Sequence, residues 1–568
     1  MPRLRSCFIL ALTFLFLSSL ALAQRDLGTL TGTVTDPSGA AVPNAKVTIT
    51  EDATGVSYDV ITGANGEYTR PLLKPGTYTL TVEAAGFRKA EQKNVIVTAG
   101  DRIGANIVLT VGDVSQTLEV TAAAPLLQTE SAVQGVNLNS SQMEDLPLGG
   151  QRNFAYLARL SPGVLPAESG ARDSLGGGFS ANGVRSTGEN NFLLNGVDNN
   201  VNVIDFINQT SYVIGPSVEA IGEMSVHTNG YNAEYGRAAG GVIDVQIKSG
   251  TNQLHGTLFE YLQNTDLDAN RWENNLAGVP RPKFIQNQFG AAIGGPIIKN
   301  KLFIFGDYQG TKIDTAGGVI QNLGYGGFYT IPTPLMRQGN FSELLGKEIS
   351  PGVLQGQIYN PTSTVCTSGC VPGTLTALGG ASPVYSRTPY AGNIIPSSQW
   401  DPAAAKMMAL YPNTNRPYQT GTYFTNDYYT VTPGNLDTEQ GDLRMDYHLS
   451  DKDSLFGGLS WSNTNKTSVQ PFAGALDGGN FNGVGEQDLG RNGNLSYTHV
   501  FSPTLISETR LAFSRLVTAR VQANSGTDEF SAIGIGGYNP TAPLNGGLPQ
   551  FGLGIYSQVG ANDWLPTK

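Results

Sequence analysis

Residues 442–463, DLRMDYHLSDKDSLFGGLSWSN, decide the fold of this chain. In Asp442–Leu449 charged or polar residues alternate with apolar ones, so the two kinds of side chain lie on opposite faces of a β-strand. A second strand-like run, Leu455–Asn463, follows after the short turn Ser450–Ser454. Such a hairpin fits a soluble sheet with a buried apolar face, and it equally fits a membrane barrel whose apolar face meets lipid. The alternation alone does not separate the two.

The connectors in the second half of the chain do separate them. Short and long connectors alternate strictly between strand-like runs, with tight turns at Pro296–Asn300, Ser450–Ser454 and Ser502–Thr504. The seven runs are Leu254–Gln263, Gln286–Gly295, Leu302–Gly310, Asp442–Leu449, Leu455–Asn463, Asn494–Phe501 and Leu505–Val517. Outer-membrane barrels have this pattern because periplasmic turns are short and surface loops are long. We therefore predict that residues 251–568 form the N-terminal part of a transmembrane antiparallel β-barrel.

The number of these runs indicates that the barrel is incomplete. Bacterial barrels have an even number of strands, and barrels with a plugged lumen have about 22. An unclosed barrel would leave unpaired backbone groups in hydrocarbon. We expect this sequence to be part of a longer chain whose remaining strands follow Lys568.

The first residues, Met1–Ala23, are typical of a secretory signal peptide. Arg3 and Arg5 form the positive region, Phe8–Leu17 the apolar core and Ala21–Ala23 the small-residue cleavage site. The alternative, a membrane anchor, is disfavoured because the apolar run is short. No later apolar run reaches about 18 residues, so we predict no internal transmembrane helix.

Composition and charge exclude several classes of function. Charged residues make up 14% of the chain and the net charge is −11, without a basic cluster, so we expect no nucleic-acid partner. Cys366 and Cys370 lie in a polar stretch, and in an oxidising compartment we expect a disulfide between them. A metal site there would need further ligands. The histidines have no ligand spacing and no catalytic motif appears, so we predict no enzyme, no cofactor and no metal.

Residues 24–112 contain short strand-like runs separated by turns such as Asp36–Gly39 and Asn65-Gly66, which predicts a small β-sandwich. The motifs are GTVTDPSG at 32–39, AKVTI at 45–49, GEY at 66–68, PGTY at 75–78 and GF at 86–87. They resemble the carboxypeptidase regulatory-like domain. The resemblance implies a transthyretin-like sandwich with a carbohydrate-binding-like fold and without peptidase activity. A plain spacer is the alternative to sugar binding.

Residues 113–250 open with a segment that resembles a TonB box, SQTLEVTA at 115–122. Such a segment needs to be extended and unpaired, so that the energy-coupling protein TonB can add it to a sheet edge. The residues expected to contact TonB are Leu118, Glu119, Val120, Thr121 and Ala122. The alternative is that this segment is the last strand of the preceding sandwich, or a linker.

The rest of this region is expected to be a compact α+β unit. Ser140 or Ser141 would cap a short helix to Asp145, and Asn195-Gly196 marks a hairpin. The motifs are GVR at 183–185, FLLNGVD at 192–198, IGEMSV at 221–226, YNAEYGR at 231–237 and GGVIDVQIKSG at 240–250. They resemble the plug of TonB-dependent receptors, and the larger Oar-like type in particular.

The resemblance to a plug implies contacts with the surrounding barrel. We expect Arg185, Glu234 and Arg237 to form ion pairs between plug and barrel, because an enclosed plug desolvates its surface; the alternative is that they are merely solvated.

The chain is thus predicted to be mainly β: a transthyretin-like β-sandwich, an α+β plug and an incomplete transmembrane antiparallel β-barrel. The resemblance implies a TonB-dependent receptor in the Gram-negative outer membrane, in contact with its lipid and with the N-terminal domain in the periplasm. It would import a siderophore, an oligosaccharide or a peptide through TonB-driven plug rearrangement. The ligand-facing element would be the loop 312–436, with Tyr385, Tyr390, Trp400 and Tyr411. The alternative is an adhesion or assembly protein that uses the barrel as an anchor.

Overall fold

The structure is a computed structural model of the chain. It describes residues 27–112, 117–121, 133–146, 148, 152–167, 178–185, 189–201, 211–233, 235–276, 278–317, 324–380, 382–417, 426–477, 485–502, 505–521, 524–536, 546–552 and 554–560. The predicted signal peptide lies outside these residues and stays a prediction.

The N-terminal part is a β-sandwich. Its strands are β1 (Gly28–Thr35), β2 (Lys46–Glu51), β3 (Ser57–Ile61), β4 (Glu67–Leu73), β5 (Gly76–Glu83), β6 (Lys89–Val97), β7 (Arg102–Gly104), β8 (Ile107–Val108) and β9 (Thr117–Thr121). One sheet has the order β4-β1-β7, with β8 also paired to β1, and the other has the order β3-β2-β5-β6-β9. Apolar residues alternate along the strands, so Val47 and Ile49 of β2 point into the core and are fully buried.

Strand β9 lies at the edge of the larger sheet. It runs parallel to β6, with Thr117 opposite Lys89 and Thr121 opposite Lys93. Among the described strands it pairs with β6 alone. The segment that resembles a TonB box is therefore extended, as expected, but it is not unpaired.

The next unit is the predicted α+β plug. Its elements are β10 (Gln134–Asn139), α1 (Ser140–Asp145), a 3₁₀ helix (Phe154–Leu160), β11 (Val164–Pro166), β12 (Phe179–Ala181), β13 (Asn191–Leu194), β14 (Val197–Asp198), a 3₁₀ helix (Val218–Ala220), β15 (Ile221–Asn229) and β16 (Val242–Ile247). The main sheet has the order β10-β15-β16-β13-β14, so β10 is an edge strand. An aromatic cluster fills the core, with the ring of Tyr212 5.0 Å from Phe154 and 5.4 Å from Phe192.

The cap of α1 differs by one residue from the prediction. Asn139, rather than Ser140 or Ser141, precedes the helix and accepts a hydrogen bond from the Gln142 amide at 2.9 Å. The Gln142 side chain accepts in return from the Asn139 amide at 3.1 Å. This capping box satisfies two amides that the helix leaves unpaired, and Asn is as good a cap as Ser.

The second half of the chain forms one antiparallel sheet of seven long strands. In order these are β17 (His255–Asn264), β18 (Phe284–Ile298), β19 (Leu302–Ala316), β26 (Pro433–His448), β27 (Asp453–Ser468), β28 (Gly485–Ser502) and β29 (Leu505–Val521). The predicted runs are confirmed, and so is the mainly β fold class. Most strands extend further toward the long loops than predicted, because both faces are polar or Gly-rich there and the alternation fades. The sheet curves but does not close, since β17 and β29 do not pair with each other.

The exposure of the two faces of this sheet decides between a soluble sheet and a membrane barrel. On the concave face Asp442 is 6% exposed and Asp446 1% exposed. On the convex face Leu459 is 62% exposed, Leu511 69% and Phe513 59%. A soluble sheet would bury its apolar face, whereas this one buries its charges and exposes an apolar face, as a sheet in lipid does.

The longest connector folds into a unit of its own on the side of the long loops. It contains β20 (Gly326–Tyr329), β21 (Glu348–Ser350), β22 (Val353–Leu354), β23 (Val365–Ser368), β24 (Val384–Ser386) and β25 (Tyr428–Val431).

Short helices of the second half of the chain lie in the connectors and after the last long strand. They are Thr265–Leu267, Trp272–Leu276 (α2), Met336–Gln338, Ser342–Leu344, Pro361–Ser363, Ala391–Asn393, Ser397–Gln399, Pro402–Leu410 (α3), Gly474–Leu476 and Glu529–Ile533 (α4). No helix in the described part of the chain is long and apolar enough to span a membrane.

Candidate ligand cleft and coupling segment

The plug is attached to the concave face by polar contacts at buried positions. Gln288 of β18 accepts a hydrogen bond from the Arg152 amide and donates one to the Arg152 carbonyl, both at 3.1 Å. The Arg152 guanidinium pairs with Glu219 at 3.2 Å and lies over the ring of Tyr261 of β17. The Tyr261 hydroxyl donates to Glu219 at 2.8 Å. Barrel and plug residues therefore satisfy each other's hydrogen-bonding groups and charges at this contact.

Gly490 of β28 permits a close approach between a plug loop and the seven-stranded sheet, which is called the wall from here on. A Cβ at this position would lie 2.6 Å from the Val213 carbonyl oxygen and 2.9 Å from the Ile214 side chain. Real side chains do not approach backbone so closely, so any other residue would displace the loop. The glycine follows from the packing rather than from a turn.

A polar cleft lies between the plug and the concave face, on the side of the long loops. Most of its side chains end in amides or hydroxyls: Asn153, Tyr212, Gln288, Gln309, Thr311, Thr438, Gln440, Ser462 and Thr464. Arg152, Lys466 and Asp488 are its charged residues, and the rest are apolar or Gly. This composition suits a ligand that offers many hydrogen-bonding groups and little net charge.

Charges near the cleft are compensated by their neighbours. Glu486 pairs with Lys466 and, at 2.8 Å, with Arg520. Two buried atoms that line the cleft have no hydrogen-bond partner among the described residues, Gln440 Nε2 and Asp488 Oδ1. Unpaired polar atoms are costly when buried, and a bound ligand could satisfy both.

The ion pairs predicted between plug and barrel are not where they were expected. Arg237 pairs with Asp198 at 3.0 Å, and both residues belong to the plug. Arg185 is exposed and has no ion pair with any residue that the structure describes. Glu234 lies outside the described residues. The prediction assumed that the whole plug surface is enclosed, but Arg237 and Asp198 are each about half exposed.

The predicted TonB-contact residues are Leu118, Glu119, Val120, Thr121 and Ala122. The first four lie in β9, paired in register with Ala90 through Lys93 of β6. Ala122 lies outside the described residues. The expectation of an unpaired segment is wrong in this structure, because the sandwich offers a free sheet edge within reach of the chain. The role of the segment in coupling stays a prediction.

The surface unit contains the predicted cysteine pair and loop aromatics. Cys366 and Cys370 are joined by a disulfide. Tyr385 is 45% exposed, whereas Tyr411 is 3% exposed and belongs to the core of the unit. The Trp400 indole donates to the Ile395 carbonyl at 3.0 Å. Part of this aromatic set is therefore structural, which the sequence could not show because the loop has no regular periodicity.

The sandwich contacts the sheet at the end where the turns are short. Lys74 pairs with Asp446 of β26 at 2.6 Å, and the pair is largely buried. Asp446 also accepts from Arg444 at 3.0 Å and from the Ser249 hydroxyl at 2.6 Å. Ser249 lies in the connector between plug and sheet, so one carboxylate joins sandwich, connector and wall.

A second contact joins the sandwich to the plug. The Ala99 amide donates to Glu223 of β15 at 2.9 Å. Burial raises the pKa of the Glu223 carboxyl to about 8, against the effect of the Ala99 amide, and the carboxylates of Asp101 and Asp244 add to the rise. Burial also lowers the pKa of His227, four residues further along β15. This contact therefore holds a carboxyl that titrates near neutral pH.

No group of three or more His, Cys, Asp or Glu side chains is placed to hold a metal ion in the ranges that the structure describes. The four histidines, His227, His255, His448 and His499, lie on separate strands. The residues that sequence reasoning missed are the amides of the cleft. Their signal is present, since Gln286 and Gln288, like Gln309 and Thr311, alternate on the polar face of their strands.

Comparisons with known proteins agree with this architecture. The outer membrane beta barrel domain family matches residues 246–568, and the carboxypeptidase regulatory-like domain family matches residues 29–110. The chain is 29% identical over 318 residues to the TonB-dependent transporter Oar of Myxococcus xanthus, a match that covers 54% of this chain and 28% of that protein. It is 34% identical over 73 residues to carboxypeptidase Z of Gallus gallus, which covers 13% of this chain and 10% of that protein.

Two solved structures are similar to parts of this chain. The outer membrane transporter YddB of Escherichia coli has a TM-score of 0.41 at 12% identity, with 69% of this chain and 40% of that chain covered. A ferric enterobactin receptor of Pseudomonas aeruginosa has a TM-score of 0.37 at 11% identity, with 70% and 42% covered.

The chain thus spans little more than a quarter of the length of the transporter Oar that it matches. The barrel family covers more than half of the chain, and the expected resemblance to an Oar-like receptor is confirmed. The chain therefore belongs to the outer-membrane β-barrel family, with an N-terminal carboxypeptidase regulatory-like domain, and it resides in the Gram-negative outer membrane.

Proposed function

We propose that this chain belongs to a TonB-dependent receptor that imports a surface-bound ligand. The observation that carries the proposal is the polar cleft between plug and wall, which lies on the side of the long loops. A ligand in this cleft would contact Arg152 and Tyr212 of the plug as well as Gln440 of the wall. Its binding is therefore linked to the position of the plug.

The lining of the cleft supports an oligosaccharide over a siderophore as the ligand. Amide and hydroxyl groups dominate it, and the Lys466 ammonium and the Arg152 guanidinium each have a carboxylate partner. An anionic siderophore would need unpaired cations, whereas a sugar needs donors and acceptors such as Gln440 Nε2. The sandwich's resemblance to carbohydrate-binding folds is a separate, weaker support.

Uptake by cells tests the proposal. Cells that express the receptor are given a neutral hexasaccharide, an anionic ferric catecholate siderophore or a hexapeptide, each radiolabelled. We expect the hexasaccharide alone to accumulate, and only while the proton-motive force is intact. Deleting Thr117–Ala122 should abolish uptake but leave surface binding unchanged. Accumulation that survives this deletion would refute coupling through this segment.

The second candidate is an adhesion or assembly protein anchored by the barrel. It is favoured by the surface unit, which has its own core of Ile331, Met407, Tyr411, Phe472 and Leu476 and a disulfide. Such a unit needs no movement of the plug to act. If the deletion of Thr117–Ala122 leaves every phenotype intact while removal of residues 348–386 abolishes cell-surface attachment, this candidate replaces transport.

A further inference from the structure

We propose that the sheet of the sandwich holds the coupling segment as a preformed edge strand, and that an extended strand of TonB adds to its outer edge. The sheet would then grow from the order β3-β2-β5-β6-β9 by one strand of the partner. The inference rests on the proposed function and goes beyond it by assigning the regulatory-like domain a part in recognition of TonB.

Strand β9 is an addition to the domain rather than part of its common fold. The family match ends at residue 110, whereas β9 begins at Thr117. Without β9, the edge of this sheet would be β6. The chain between the two strands is long enough to return along β6, and the pairing that results is parallel.

The outer edge of β9 is suited to a further strand. In a parallel pair alternate residues direct their amide and carbonyl groups away from the neighbour, so part of the backbone of TLEVT at 117–121 faces outward. No described strand pairs with that side. Sheet edges that avoid partners usually contain Lys, Pro or a bulge, and this segment has none of these.

Pairing with β6 prepares the segment for binding. A flexible segment loses backbone freedom when it joins a sheet, and that loss weakens the complex. Here the extended conformation already exists before the partner arrives. The partner strand would therefore meet a rigid edge in place of a disordered peptide.

The pairing is also weak enough to be reversed. It is only five residue pairs long. A pull on the segment would therefore separate β9 from β6 without unfolding the sandwich.

A reversible cross-link tests the proposal. Neighbouring strands lie about 4.8 Å apart, within the Cα separation that a disulfide spans, so Glu91→Cys with Glu119→Cys can lock β9 onto β6. Cys366 and Cys370 are already joined to each other. The purified receptor in detergent is then titrated with the C-terminal domain of TonB in the oxidised and the reduced state.

We expect the locked receptor to bind TonB as tightly as the reduced one, or up to about tenfold more tightly if the docked state is a minor population when free. The matched control is Thr48→Cys with Asp59→Cys, which joins β2 to β3 at the opposite edge of the same sheet. Oxidation of this control should leave binding unchanged. A loss of threefold or more on locking β9 would overturn the proposal, because β6 and TonB would then compete for the segment.

Hydrogen exchange on the unmodified receptor separates this inference from the proposed function. Without TonB, some amides of Thr117–Thr121 should be protected; uniformly fast exchange would overturn the inference alone. With TonB, protection in this segment should rise while that of Lys89–Lys93 is retained, and its loss from Lys89–Lys93 would indicate displacement from β6. If TonB does not bind the unmodified receptor in any state, the proposed function fails together with the inference.

Discussion

Raising the pH from 6.5 to 8 should loosen the contact between the sandwich and the plug. Glu223 is buried at this contact, and its pKa is raised from 4.5 to about 8. A carboxyl with a raised pKa stabilises the closed contact fully below its ordinary pKa, and the stabilisation is lost as the pH rises toward 8. Burial of His227 acts in the opposite direction, since its pKa is lowered from 6.5 and its contribution is lost as the pH falls. Above pH 6.5 His227 is neutral in the closed contact, and in the opened contact it loses its remaining charge within the first unit of pH, so its opposing effect is smaller than that of Glu223.

The magnitude follows from the two pKa values. Each unit of pH between them is worth about 1.4 kcal/mol if opening returns the carboxyl to water. Between pH 6.5 and 8 the opening free energy should therefore fall by up to about 2 kcal/mol, which is about 30-fold in the opening equilibrium.

The assay is hydrogen exchange of the Ala99 amide, which donates to Glu223. Its protection factor, corrected for the intrinsic effect of pH, should decrease over this range. Glu223→Gln keeps an acceptor for that amide but cannot ionise, so its protection should not depend on pH. Glu83→Gln, at an exposed glutamate of β5, is the matched control and should keep the unmodified profile. Protection that rises with pH, or the same slope in Glu223→Gln, would refute the reasoning.

Two further predictions concern the other contacts of the sandwich and plug. Lys74→Met should lower the thermal unfolding midpoint, because it leaves a buried carboxylate with one cation fewer. Lys46→Met breaks an exposed ion pair and should leave the midpoint almost unchanged, so equal shifts in the two variants would contradict the reasoning. Gly490→Ala should displace the plug loop that contains Val213 and raise the uptake of large antibiotics by intact cells. Unchanged sensitivity of the cells to these antibiotics would show that the loop moves without opening a path through the barrel.

The sequence predicted the sheet in the second half of the chain well, because two independent signals agreed. Asp442–Leu449 alternates polar and apolar residues, and the connectors on its two sides differ greatly in length. The alternation could not tell which face would be exposed. That became clear only when the concave face was found to hold Asp446 and Arg444, paired and buried.

The candidate site was predicted only in part. The sequence indicated a plug and a coupling segment, but ion pairs such as Lys74–Asp446 join residues hundreds of positions apart. Composition and periodicity are local and do not report such contacts. The pairing of β9 with β6 was missed for a related reason, since strand propensity in 117–121 does not identify its neighbour.

The connector between β16 and β17 determines which end of the plug can move. Gly250 lies so close to the wall that a Cβ would fall 2.5 Å from the Gly295 and Ile304 carbonyl oxygens, and the Arg444 guanidinium holds the Ile247 carbonyl at 2.6 Å. The plug is thus attached to the seven-stranded sheet at its C-terminal end. Its N-terminal end leads into β10, an outermost strand of the plug sheet. A pulling force applied there would separate β10 from β15 one residue pair after another. The rest of the plug would stay attached to the seven-stranded sheet and rotate about that attachment, rather than leave the barrel as one body.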